Sequence, residues 1–205
     1  LPDLLSPVVA AQDVVTGADA WVTPLTPAFI TNLSGAVSPS GWPVIKYSSG
    51  IGATTRRIEV RGFDPISGVQ RWLTTPTIPN LRTSGGLLLP MSGETFLATG
   101  SLFSASANGS VAWLAAIDAG NGQLRWEQVT AAGRDSSRSV FFAAAASEQI
   151  WLGQRRVSGS GLERLALGGL DPDSGQLGGE HQFFSAFPNW INGVNNLPAP
   201  RTLLA

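Results

Sequence analysis

DAGNGQLRW, from Asp118 to Trp126, has three relatives in the same chain. DVVTGADAW runs from Asp13 to Trp21, DPISGVQRW from Asp64 to Trp72, and DPDSGQLGG from Asp171 to Gly179. Asp leads every copy, Gly follows four residues later, and Trp follows eight later in all but the last. Successive Asp residues stand 51, 54 and 53 positions apart. A fixed period of that size is the mark of a repeat architecture.

The phrase carries its own turn chemistry. An Asp side chain can accept hydrogen bonds from backbone N–H groups just ahead of it, which nucleates an Asx-type turn. The TG, SG and NG pairs put Gly where a hairpin needs positive φ. Strand-like runs precede the last three phrases: IEVRGF from Ile58, VAWLAAI from Val111 and LERLALGGL from Leu162. The Trp then falls on the returning strand, where one large aromatic per period can pack one repeat on the next.

Further upstream, each period holds two more β-prone runs bounded by turn residues. One set is ITNLSGAV from Ile30, GGLLLPM from Gly85 and SVFFAAAA from Ser139. The other is VIKYSS from Val44, TFLATGSL from Thr95 and QIWLGQRRV from Gln149. Four strands per period, repeated radially, make an all-β propeller of four-stranded antiparallel blades. The expected division is a partial blade over 1–28, full blades over about 29–80, 81–134 and 135–194, and a partial blade over 195–205. PRTLLA at the end resembles the start of a first strand, so the expected domain is a single β-propeller over 1–205 or part of a larger propeller.

Composition agrees with a turn-rich β domain. The 205 residues suffice for a core. Only 13% are charged, against about 25% in ordinary domains, so much of the surface must be uncharged polar residues and Gly. The 24 Gly and 14 Pro supply the turns. A net charge of −1 gives no global field for nucleic acid or an anionic membrane. Lys46 is the only Lys among 13 basic residues. With no Cys, disulfides, thiolate metal sites and Cys nucleophiles are excluded. No apolar run approaches the roughly 20 residues of a membrane-spanning helix.

The phrases resemble the repeat of the PQQ-like, or quinoprotein-alcohol-dehydrogenase-like, β-propeller family. IDAGNGQLRWE, from Ile117 to Glu127, is the nearest match, FDPISGVQRW follows, and LDPDSGQLGGE keeps Asp171, Ser174 and Gly175 but has Gly179 in place of Trp. The resemblance implies the propeller fold. It covers both PQQ-dependent dehydrogenases and cofactor-free scaffolds of assembly machines outside the cytoplasm. The enzymes hold PQQ over Ca²⁺ with acidic and amide ligands and often carry a vicinal disulfide. No such ligand maps onto a residue here, and Cys is absent, so no cofactor is expected.

Few residues suggest chemistry. His181 is the only His, and a Ser–His–Asp system would have to use it. Asp171-Pro172-Asp173 opens like a Ca²⁺ loop, but Gly175 and Gln182 occupy positions where ligands are needed. Arg56-Arg57 and Arg155-Arg156 read as edge charges or an anionic-partner site. Asn32-Leu33-Ser34 and Asn108-Gly109-Ser110 match the glycosylation pattern, relevant only in a eukaryotic secretory host. Phe183, Phe184, Phe187 and Trp190 form an aromatic cluster. They either replace the packing of the missing Trp or form an interface patch, and they are the candidate partner-binding residues. The expected function is a non-catalytic scaffold that contacts a protein partner or further blades within a larger, extracytoplasmic assembly. Two alternatives stand beside it: a fragment of a PQQ- or metal-dependent oxidoreductase, and a carbohydrate-binding propeller.

Overall fold

A computed structural model describes residues 7–25, 30–50, 56–77, 82–104, 109–130, 137–146, 149–157 and 163–184. These residues form four antiparallel sheets and no helix, so among them no helix is long and apolar enough to cross a membrane. The first sheet pairs β1 (Val8–Gln12) with β2 (Asp19–Pro24). The second is a meander of β3 (Ile30–Val37), β4 (Pro43–Gly50), β5 (Arg56–Phe63) and β6 (Gln70–Thr74). In the third, β7 (Arg82–Ser84) and β8 (Leu88–Met91) both pair with β9 (Thr95–Ser104), followed by β10 (Gly109–Asp118) and β11 (Leu124–Thr130). The fourth is a meander of β12 (Ser137–Ala146), β13 (Gln149–Val157), β14 (Glu163–Leu170) and β15 (Leu177–Phe184). Each sheet contains one Asp–Gly phrase and is termed a unit, first to fourth.

Hydrophobic cores lie between successive units. Trp21 and Leu25 of the first unit pack with Ile45, Tyr47 and Phe63 of the second. Val44, Ile58, Val60 and Trp72 of the second pack with Phe96, Trp113 and Ile117 of the third. Leu97, Ala112 and Leu114 of the third pack with Ile150, Leu152 and Leu170 of the fourth. The two middle sheets are therefore covered on both faces. That is why β4 is buried at every position from Val44 to Ser49 and β10 reads as a continuous apolar run rather than an alternating one. It also explains small residues at crossing points: a Cβ on Gly100 would meet Ile58 Cδ1 at 2.2 Å.

One expected strand is broken. GGLLLPM is a strand only over Leu88–Met91, because Gly85 and Gly86 take φ of 57° and 101° and separate it from the short β7 ahead. Gly86 sits so close to the Thr99 carbonyl that a Cβ would lie 1.9 Å from its oxygen. The break turns the Gly85 carbonyl toward the second unit, where Lys46 Nζ donates to it at 2.7 Å.

Candidate functional site

The Asp–Gly phrase folds the same way four times. Asp13, Asp64, Asp118 and Asp171 each accept, on Oδ1, the N–H groups two and three residues ahead, at 2.7–3.4 Å. The Gly N–H returns to the Asp carbonyl, and the Asp N–H donates to the carbonyl five residues on. Thr16, Ser67, Asn121 and Ser174 cap the far side by accepting from the N–H two residues later. The four Gly residues have φ of 68–73°. Arg71 and Arg125 reach back to Asp64 and Asp118 on the returning strand. Hydrogen bonds from Arg71 and the turn backbone hold the Asp64 carboxyl well below its ordinary range, and backbone bonds do the same for Asp13 and Asp171.

Each tryptophan grips the next unit's turn. Trp21 Nε1 donates to the Pro65 carbonyl at 3.0 Å, Trp72 Nε1 to Ala119 at 2.9 Å, and Trp126 Nε1 to Pro172 at 2.8 Å. The indole lies on the turn glycine: a Cβ on Gly68, Gly122 or Gly175 would meet it at 2.4–2.6 Å. Two residues past each Trp, a side chain donates to the same turn. Thr23 reaches the Gly68 carbonyl at 2.6 Å, Thr74 reaches Gly122 at 2.5 Å, and Gln128 reaches Ser174 at 3.2 Å. The glycine of the phrase therefore answers two demands, positive φ and room for an indole. Trp21 and Trp72 are buried as the repeat predicts, while Trp126 is half-buried.

Two polar groups, one partly and one fully buried, were not legible as sites. Glu59 on β5 accepts Tyr47 Oη at 2.9 Å, Ser49 Oγ at 2.5 Å and the Arg61 guanidinium at 2.7 Å, with Arg61 also 5.5 Å from the Tyr47 ring centre. Burial raises the Glu59 carboxyl, but its bonds from Ser49, Arg61 and Tyr47 outweigh this and hold it below its ordinary value. Lys46 is fully buried with its ammonium on the Gly85 carbonyl, and burial pushes it down to about 7. The one available signal was Lys46 itself, the sole Lys of the chain, placed on a β-prone run between Ile45 and Tyr47.

Three repeat positions are apolar in the first two units and polar or small in the last two. Two residues after Asp stand Val15, Ile66, Gly120 and Asp173. One residue after the Trp position stand Val22, Leu73, Glu127 and Glu180. Five after Asp stand Ala18, Val69, Gln123 and Gln176. Val15 and Ile66 are 88% and 87% exposed, and Val22, Leu73 and Val69 are also exposed.

The residues singled out from sequence are placed as follows. Phe183 and Phe184 end β15, opposite Leu165 and Arg164, and Phe187 and Trp190 lie outside the described residues. His181 stands on β15 opposite Leu167. Asp171 and Asp173 form the fourth turn, as the hairpin reading requires. Arg56-Arg57 begin β5 and Arg155-Arg156 end β13, so the pairs flank the same hairpin of two units from opposite strands. Asn32 has φ 56° in an irregular part of β3, and Asn108 lies outside the described residues. Among the described residues no three acidic or His side chains are grouped to hold a metal ion. No protein-family model matches the chain, and no curated protein does.

Proposed function

We propose that this chain is a PQQ-like propeller protein that acts by contact rather than catalysis, as a scaffold within a larger extracytoplasmic assembly. The repeat phrases and the row of antiparallel sheets support the fold assignment. The observation that carries the function is the apolar surface of the first two units. Val15, Ile66, Val22, Leu73 and Val69 are exposed at positions where the third and fourth units carry polar residues or Gly. The fold does not need those side chains, since the same turns and strands form without them. Exposed apolar side chains concentrated in two units, where the other two units are polar, favour an interaction surface there. The partner is a protein presenting a complementary apolar face, burying at least about 1,000 Å² in total for a stable complex.

The test is co-purification from the native host with wild type and with a Val15→Ser/Ile66→Ser/Leu73→Ser variant. The expected result is a stoichiometric protein retained by wild type and lost from the folded variant. Equal recovery from both, or recovery from neither, removes the contact reading. Dye reduction after reconstitution with PQQ and Ca²⁺ removes the non-catalytic one.

A further inference from the structure

The second and fourth units treat one point of the repeat in opposite ways. In the second, Glu59 stands five residues before Asp64, directly across from Tyr47. Its carboxylate is a built-in anion, held by Tyr47 Oη at 2.9 Å, Ser49 Oγ at 2.5 Å and the Arg61 guanidinium at 2.7 Å. Five residues before Asp171, the fourth unit has Ala166, directly across from Gln154. The position that holds a carboxylate in one unit thus holds a methyl in the other. Gln154 is 1% exposed, yet among the described residues neither its Nε2 nor its Oε1 has a hydrogen-bond partner. A buried amide left unpaired is costly, and its equivalent, Tyr47, is paired with the anion that the fourth unit lacks.

Where the carboxylate is lost, cations accumulate. The register sets Arg138 opposite Arg156 and Arg156 opposite Arg164, a row across β12, β13 and β14. Directly opposed residues share a face of the sheet, and Gln154, two residues before Arg156, belongs to the same face. Like charges directly opposite one another destabilise a sheet, so the row calls for a counter-charge. The same row reads Ile30, Ser49 and Arg57 in the second unit, and Thr83, Leu102 and Val111 in the third. The fold therefore does not require three Arg at this point. Glu163 stands one step further along β14, opposite Val157, on the alternate face. The Arg row lies one register step inside the end of the β13–β14 ladder, and the Gln154–Ala166 pair lies two steps deeper.

We propose that the fourth unit binds an external phosphoryl group at the position that Glu59 fills in the second, with the Gln154 amide and Arg138, Arg156 and Arg164 as its donors. The class of ligand follows from charge and donor number. In the second unit one carboxylate is answered by two hydroxyls and one close guanidinium. The fourth unit offers an amide and three guanidinium groups, each with five N–H donors. A dianion with three terminal oxygens uses such a set better than a carboxylate with two. Adjacent strands lie about 4.8 Å apart, so three strands span about 10 Å, the reach of long side chains converging on one group. The group is a phosphate, free or carried as a monoester. The site lies on the fourth unit and the exposed apolar positions on the first two, so the inference stands apart from the contact reading.

The experiment is calorimetric titration of the full chain with inorganic phosphate and with phenyl phosphate at fixed ionic strength, with acetate as the comparison. The expected result is one saturable site for phosphate and none for acetate. Arg156→Gln, which removes a charge-assisted hydrogen bond, should weaken binding about tenfold or more. Gln154→Leu should weaken it too, while the fold tolerates the loss of an unpaired amide. Ala166→Glu installs the second unit's carboxylate and should abolish binding. Arg57→Gln, in the same row of the second unit, should change nothing. Tighter binding of phenyl phosphate than of inorganic phosphate assigns the group to an ester; equal or weaker binding assigns it to the free anion. The absence of a saturable site overturns the inference. So does acetate binding as strongly as phosphate, an equal loss in Arg57→Gln and Arg156→Gln, or undiminished binding by folded Ala166→Glu. Should Ala166→Glu fail to fold, Arg156→Gln and Gln154→Leu decide: undiminished binding in both overturns the site.

Discussion

Trp72 is held on three sides: its ring by Gly62 of its own unit and Gly122 of the next, and its N–H by the Ala119 carbonyl. Truncation removes a buried aromatic and frees a buried carbonyl. Trp72→Ala should therefore cost about 3–5 kcal/mol, and Trp126→Ala less, because Trp126 is half-buried. Urea unfolding of both variants checks the order; equal losses, or none, would remove the joint from the stability argument. Lys46 makes the second prediction at this scale. Its folded value of about 7 lies below its ordinary 10.5. Between those values the unfolded chain binds more protons than the folded one, so stability rises with pH, by at most about 1.4 kcal/mol per unit. Unfolding measured from pH 7 to 9 should show that rise in wild type and not in Lys46→Met. A flat wild-type profile would mean that the ammonium is solvated.

Among the elements, the hairpin between third and fourth strands is the best conserved in geometry across units, and its two contributions can be separated. Asp64 Oδ1 organises the turn, while Oδ2 meets Arg71 at 2.6 Å. Asn keeps an acceptor for the turn but loses the ion pair, and exposed ion pairs contribute little. Asp64→Ala should thus lower the melting temperature more than Asp64→Asn; the reverse order would assign the turn's stability to Arg71. The carboxyls of Asp13, Asp64 and Asp171 all lie low. Their stabilisation is present above the ordinary carboxylate range and is lost as pH falls below it. These hairpins were legible from sequence because Asx turns, capping hydroxyls and positive-φ glycines act within six residues. The break at Gly85-Gly86 was not, because its cause lies in Thr99 of a neighbouring strand and in Lys46 of another unit.

For the whole molecule, the period placed the strands and the interleaved cores, but not what the repeats do. The phrase predicts a tryptophan between units. It does not predict that the indole reaches a carbonyl 44–47 residues ahead, since that pairing depends on how one sheet lies on the next. The exposed apolar positions of the first two units were hidden for a related reason. Val15 and Ile66 look like ordinary strand-flanking apolar residues until the turns are superposed and their exposure is seen. The aromatic cluster drew attention in sequence by composition alone, and only its first two members fall within the described residues, at the end of β15.

The joints between units are not reciprocal. Each of the first three units lends an indole forward to the next, so injury to a gripped turn is felt by the unit before it in the chain. Gly122→Val disturbs the third unit's turn, yet the group it evicts is Trp72 of the second. Trp126, anchored on Pro172, is spared. Amide hydrogen exchange in this variant should accelerate in β6 and remain slow in β11 at matched overall stability. Lesions in such a chain travel toward the N-terminus, and a map of sensitive sites would be offset from the map of their symptoms by one period.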